Sequence, residues 1–160
     1  QRELAPADLR RGIENTVTVA RNEYKYVADV VLELAEIPPV TCNAGELNQV
    51  FLNLIVNAAH AIADRGEPDA RGTITVRTAC DGEMVMVSIG DTGCGIPEAA
   101  QQRIFEPFFT TKEVGRGTGQ GLAIARNIVE QHGGSIAFET QRGQGTTFHI
   151  RLPVKGPEKS

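Results

Sequence analysis

The sequence predicts an α+β fold in two layers: one mixed, mostly antiparallel sheet with three main helices on a single face. Two observations carry this. Apolar residues recur at helical spacing over several turns in Leu47, Val50, Phe51, Leu54, Ile55, Ala58 and Ile62. Short β-rich segments arrive in pairs around turn signals, grouped apart from the helices rather than alternating with them one for one. A chain of 160 residues suits one domain with a real core. An apolar content of 41% and a charged content of 22% are ordinary for a globular protein.

The opening stretch, Gln1 to Ala7, is polar with a Pro and reads as a linker. Asp8 is a good N-cap for a helix to about Asn22, with Leu9, Ile13, Val17 and Ala20 at helical spacing. Tyr26 to Leu34 is Val-rich and predicts a strand. Pro38-Pro39 interrupts the chain, and Val40 to Cys42 is a short extended piece. Asn43 then caps a second helix, Ala44 to about Ala63. Thr73 to Ala79 and Met84 to Ile89 predict a hairpin about Asp81-Gly82. A long connection follows, from Gly90 to about Thr118, and a third helix runs from Gly119 to Gln131. Gly133-Gly134 ends that helix. Ser135 to Thr140 and Thr146 to Leu152 make a last strand pair, and Lys155 to Ser160 reads as a frayed tail. The domain is thus placed at residues 8–153, between a linker at 1–7 and a tail at 154–160. A ligand is expected between the helix layer and the long connection.

Composition narrows the function. A net charge of −4 disfavours a general nucleic-acid binder, which is usually basic. No apolar run approaches the roughly 18–20 residues of a membrane span, so no membrane contact by this stretch is expected. Cys42, Cys80 and Cys94 are odd in number and lie far apart, which argues against a zinc site or disulfide framework and for a reducing, cytoplasmic setting.

Five short motifs stand out. Asn53 and Asn57, at i and i+4, cluster with His60 on a helix face away from the apolar stripe. They are either solvated surface amides or a hard oxygen donor for Mg²⁺. Asp91-Thr92-Gly93-Cys94-Gly95-Ile96-Pro97 follows a strand. It is either a common Asp-Thr-Gly turn or a pocket wall whose carboxylate accepts from an exocyclic amine. Ile104-Phe105-Glu106-Pro107-Phe108-Phe109-Thr110-Thr111-Lys112 places three of the six Phe in a loop, which suggests a lid or a satellite core. Gly117-Thr118-Gly119-Gln120-Gly121-Leu122 leads straight into a helix, where free amides and the helix dipole favour an anion. It lacks the Lys-Ser/Thr of a Walker A loop. Gly143-Gln144-Gly145-Thr146 reads as a glycine hairpin turn.

In this order and spacing the motifs resemble the ATP-binding catalytic domain of bacterial sensor histidine kinases, over nearly everything from Asp8 to Pro153. The resemblance implies the two-layer Bergerat fold with a flexible ATP lid. It implies ATP and Mg²⁺ as ligands, with Asn57 on the metal. It also implies that Asp91 reads the adenine amine, with Gly93, Gly95 and Ile96 lining the base and Thr146 holding its edge. Thr110, Thr111 and Lys112 of the lid, and Gly117, Thr118, Gly119, Gly121 and Leu122, are implied at the phosphates. Asn53 and Lys112 are the expected catalytic positions. Asn53 stands where related clamp ATPases carry a catalytic Glu, and an amide cannot act as a general base. His60 falls where the family often has Lys or Arg near the phosphates; an outer-face structural role is its alternative.

The family's phosphoacceptor His sits near the start of a helix, and none of His60, His132 and His149 fits that setting. The resemblance therefore implies a catalytic piece of a larger two-component kinase. Its partners would be a dimerisation and phosphoacceptor helical domain of the same parent, and a response regulator downstream. Alone it is expected to be monomeric, and a membrane-anchored parent is compatible with it. A Ser/Thr kinase of anti-sigma type and a clamp ATPase on the same fold are the alternatives, argued against by the Phe motif and by Asn53 respectively.

Overall fold

The computed structural model describes residues 3–66, 71–107 and 121–157. Its strands are β1 (Ala5–Ala7), β2 (Ala28–Leu34), β3 (Val40–Cys42), β4 (Gly72–Asp81), β5 (Met84–Asp91), β6 (Ser135–Gln141) and β7 (Gly145–Pro153). Its helices are α1 (Leu9–Val19), α2 (Arg21–Tyr24), α3 (Ala44–Ala63) and α4 (Gly121–Gln131).

Five strands form one sheet in the order β2-β4-β5-β7-β6. Only β2 and β4 pair in parallel; the other three pairings are antiparallel. The parallel pair needs a crossover, and β3 with α3 supplies it. The sheet shows the alternation of a two-layer fold. Ile74 and Val76 of β4, Val85, Val87 and Ile89 of β5, and Phe148, Ile150 and Leu152 of β7 are buried. Arg77 and Arg151, on the opposite face, are exposed. The helix layer meets the buried face through Leu9 and Ile13 of α1, Leu47 through Ile62 of α3, and Ala125 and Val129 of α4. The two-layer α+β class predicted by the sequence is the observed one.

Asp8 caps α1, its carboxylate accepting from the Arg10 and Arg11 amides at 3.1 and 3.3 Å. The predicted single helix to Asn22 stops instead at Val19 and resumes as α2. Thr16 and Thr18 donate their hydroxyls to the carbonyls of Gly12 and Glu14, a back-bonding that bends helices. Asn43 caps α3 through the Glu46 amide at 2.9 Å. β2 begins two residues later than predicted because the Val27 amide still closes a turn on Tyr24.

Both ends of the chain differ from the sequence reading. Ala5–Ala7, read as linker, pairs antiparallel with β3. Past β7, the Val154 carbonyl accepts from the Thr41 amide, and Gly156 is buried against Thr41. Alternating patterns do not reveal such pieces, because three residues are too few to show a period.

Candidate functional site

Three strands place a polar row at one end of the buried sheet face. Asp91 lies opposite Thr146, and Thr146 opposite Thr140. The next row inward on the same face is Ile89, Phe148 and Phe138. Side chains two apart on a strand share a face. Asp91 therefore points the way Val87 and Ile89 point, beyond the apolar rows covered by helices.

One Asp91 oxygen, Oδ1, accepts from the Gly93 amide at 2.8 Å and the Thr146 amide at 3.3 Å. Its Oδ2 has no hydrogen bond among the described residues. Burial pushes the carboxyl up to about 6; the two amides and Arg65 oppose this without cancelling it. The result is an oriented, partly desolvated acceptor with one oxygen uncommitted.

The turn after Asp91 is clasped on two sides. Gly93 packs so closely on α3 that a Cβ would lie 2.6 Å from the Ala61 carbonyl carbon, and the Cys94 amide donates to the Ala61 carbonyl. Gly95 has a φ of +77° and faces the β6–β7 turn, where the Gly143 amide donates to the Cys94 carbonyl. A Cβ on Gly145 would sit 2.0 Å from the Asp91 carbonyl oxygen, so the distant Gly143–Gly145 motif is half of this same wall. The Ile96 amide donates to Thr140 Oγ1 at 2.9 Å, and its side chain packs at the edge of the core. Thr92 ties the turn to β4, its hydroxyl accepting from the Thr73 amide at 2.9 Å.

The Asn face of α3 meets the start of α4. Asn53 Nδ2 donates to the Gly121 carbonyl at 3.2 Å, and its Oδ1 accepts from Gln49 at 2.7 Å. Both ends of that amide are engaged within the protein. Asn57, one turn on, is half-buried and makes no hydrogen bond among the described residues. His60 lies 4.0 Å from the Glu23 carboxylate of α2. Leu122 packs against the core. Thr110, Thr111, Lys112, Gly117, Thr118 and Gly119 lie outside the described residues.

Of the Phe motif, Phe105 packs against the main core, while Phe108 and Phe109 lie outside the described residues. The Phe105 ring lies 6.1 Å from Phe138 and 6.3 Å from Phe148, with the Arg126 guanidinium 5.4 Å above it. Sequence reasoning missed Thr140, Arg65 and Gln101. Arg65 donates to the Thr92 carbonyl at 2.9 Å, and Gln101 to the Ile96 carbonyl at 3.1 Å. Only Thr140 left a signal: it continues the Ile136, Phe138 alternation with a polar group.

The site fits an adenine nucleotide in two respects. A partly desolvated carboxylate oxygen with no hydrogen bond among the described residues lies at the end of the apolar rows, and side-chain-free glycines clear the wall beside it. Among the described residues there is no cluster of three or more His, Cys, Asp or Glu to cage a metal. A Mg²⁺ that keeps its waters and binds mainly through phosphates needs no such cage, and the free Asn57 amide suits it. No helix among the described residues is long and apolar enough to cross a membrane.

Comparison with known proteins agrees with this geometry. A family model described as histidine kinase-, DNA gyrase B-, and HSP90-like ATPase matches residues 42–156. Sporulation kinase E of Bacillus subtilis is 42% identical over 120 residues, covering 75% of this chain and 15% of that protein. The sensor histidine kinase ZraS of Klebsiella oxytoca is 45% identical over 120 residues, 75% of this chain and 24% of its own length. The chain thus spans less than a quarter of either relative. Among solved structures, the catalytic domain of histidine kinase ThkA superposes with a TM-score of 0.81 at 31% identity, covering 96% of this chain and 97% of that one. Full-length ShkA in complex with AMPPNP superposes with a TM-score of 0.83 at 26% identity, covering 99% of this chain and 33% of that one.

Proposed function

Because this chain belongs to the histidine kinase-, DNA gyrase B- and HSP90-like ATPase family, and is an ATP-binding catalytic domain of the sensor histidine kinase kind, we propose that it transfers the ATP γ-phosphoryl group to a histidine. That histidine stands on a separate helical domain of the same parent, which passes the group to a response regulator in the cytoplasm. The observation that carries this reading is Asp91: one oxygen fixed by two amides, the other uncommitted, at the open end of an apolar core.

In this reading the Asp91 carboxylate accepts the adenine amine, while Gly95 and Ile96 form the flat wall beside the base. Asn57 offers its amide oxygen to Mg²⁺, which when bound offsets negative charge between the phosphates. Asn53 holds the first turn of α4 in place by its bond to Gly121. Amides at that helix start, preceded by Gly117, Thr118 and Gly119, face the phosphates, and Lys112 supplies a further positive charge, with Thr110 and Thr111 beside it. His60 belongs to the outer rim: the Glu23 carboxylate beside it offsets the charge it would offer a phosphate. The acceptor imidazole nitrogen attacks the γ-phosphorus as the bond to the bridging oxygen breaks, and ADP leaves. Asn53, an amide, cannot act as a base for water, and in this reading positioning and charge supply the rate.

Titrating Mg-ATP into the domain by calorimetry tests the pocket; the Asp91→Asn variant should bind at least about 100-fold more weakly, given the charge-assisted bond it loses. Incubation with ATP and a supplied helical hairpin bearing the acceptor tests the reaction. Acid-labile phosphate on the hairpin is the expected product. Acid-stable phosphoserine, or brisk hydrolysis without any acceptor, would replace this reading with a Ser/Thr kinase or a clamp ATPase.

A further inference from the structure

Thr140 lies outside every motif, yet two separate pieces of the Asp91 wall, the turn at Ile96 and the Gly145-Thr146 segment, meet at its hydroxyl. The Ile96 amide donates to it at 2.9 Å. The Gly145 carbonyl lies 3.3 Å away, and Thr146 Oγ1 2.9 Å away. A hydroxyl has one proton and two lone pairs. Ile96 fills one lone pair. Either hydroxyl can donate to the other; all three contacts are made at once only when the Thr140 proton lies on the Gly145 carbonyl and the Thr146 proton on the second lone pair of Thr140. Thr146 is itself 5% exposed and its amide holds Asp91. In that arrangement the Thr146 proton is spent on Thr140, and Thr146 Oγ1 keeps only lone pairs, beside a carboxylate that also only accepts.

We propose that Thr140 is a positioning and specificity-determining residue for the purine: it anchors Ile96 and fixes Thr146 as a hydrogen-bond acceptor, so that the wall favours a 6-amino over a 6-oxo purine. This rests on the reading of the pocket as an adenine-nucleotide site. Removing the Thr140 hydroxyl frees the Thr146 proton to donate, which a 6-oxo group accepts, and releases the Ile96 amide.

The test compares ATP with inosine triphosphate by calorimetry on the wild-type domain, Thr140→Val and Thr140→Ser. Val keeps shape and strand preference without the hydroxyl; Ser keeps the hydroxyl. The expected result for Thr140→Val is about a tenfold loss of ATP affinity, the size of one good hydrogen bond. The loss for inosine triphosphate is smaller, so the ratio between the two narrows. Thr140→Ser recovers the ratio. Hydrogen exchange at the Ile96 amide in the empty domain is the second measurement: fast in Thr140→Val, slow in wild type and Thr140→Ser. If Thr140→Val does not fold, Thr140→Ala replaces it in both measurements with the same expectations. A wild-type ratio in the hydroxyl-free variant, or unchanged Ile96 exchange, overturns the proposal and leaves the nucleotide site standing. A folded wild-type domain that binds no ATP overturns the nucleotide reading, and the specificity proposal falls with it.

Discussion

Asp91 is held where its charge is costly. Its carboxyl titrates near 6 in the folded domain because burial outweighs two amides and Arg65, whereas in an unfolded chain it titrates near 4. The folded state therefore binds the proton more tightly. This contribution to stability is greatest below about pH 4 and is lost as pH rises through about 6. Asp91→Asn should accordingly stabilise the empty domain at pH 8, by on the order of 2 kcal/mol in urea denaturation. The same variant should lose ATP, a separation of stability from binding that marks a functional carboxylate. Wild-type ATP affinity should fall about tenfold per pH unit below about 6, since Oδ1 is held by two amides and a proton on Oδ2 replaces the acceptor that the adenine amine needs. A flat affinity between pH 5 and 7 would remove Asp91 from the base. The placement of Asp91 at a strand end was legible in the sequence because its motif follows a β-rich segment. Thr140 was not, because its meaning depends on pairing with Thr146 and on a loop 44 residues back reaching its hydroxyl. Phe105 was ambiguous until its ring was seen beside those of Phe138 and Phe148, two strands away in sequence.

At the scale of elements, α3 and α4 are bound together at two points. Asn53 holds the start of α4. His132, 1% exposed just past its end, joins it to the start of α3. The ring accepts the Asn43 amide at Nε2, 3.1 Å, and its Nδ1 lies 2.8 Å from the Ile128 carbonyl. With Nε2 accepting, the ring proton sits on Nδ1. His132→Ala leaves the Asn43 amide unsatisfied and a void beside it, and should cost roughly 2–4 kcal/mol in urea denaturation. A loss under about 0.5 kcal/mol, the level of ordinary surface changes, would show that the clasp is dispensable. Helix α3 was legible to its last residue because its apolar period, cap and length agree. The break after α1 was not, because it follows from two Thr hydroxyls turning back on their own helix.

For the whole molecule, the legible part was the layer architecture and the least legible the ends. Pattern alone shows which face of each strand is buried, but not that β2 pairs with β4 in parallel or that Ala5–Ala7 joins β3. The small sheet of β1 and β3 lies apart from the Asp91 wall and is hydrogen-bonded to neither Asp91 nor Asn53. Deleting residues 1–7 should therefore lower stability by about 1–2 kcal/mol, a few exposed strand bonds, and leave ATP affinity within about twofold, a few tenths of a kcal/mol. A larger loss of affinity would mean that the edge sheet supports the pocket after all.

That β1 and the segment just past β7 both bond to β3 also bears on how the domain answers to force. A pull applied between Ala5 and Pro157 runs from β1 into β3 and out through the Thr41–Val154 bond, the shortest route through the fold. These few bonds should part before any strand of the five-stranded sheet does. Such an edge would serve as a fuse: single-molecule pulling between Ala5 and Pro157 should give an early release of slack that leaves Asp91, Asn57 and the clasped turn in place.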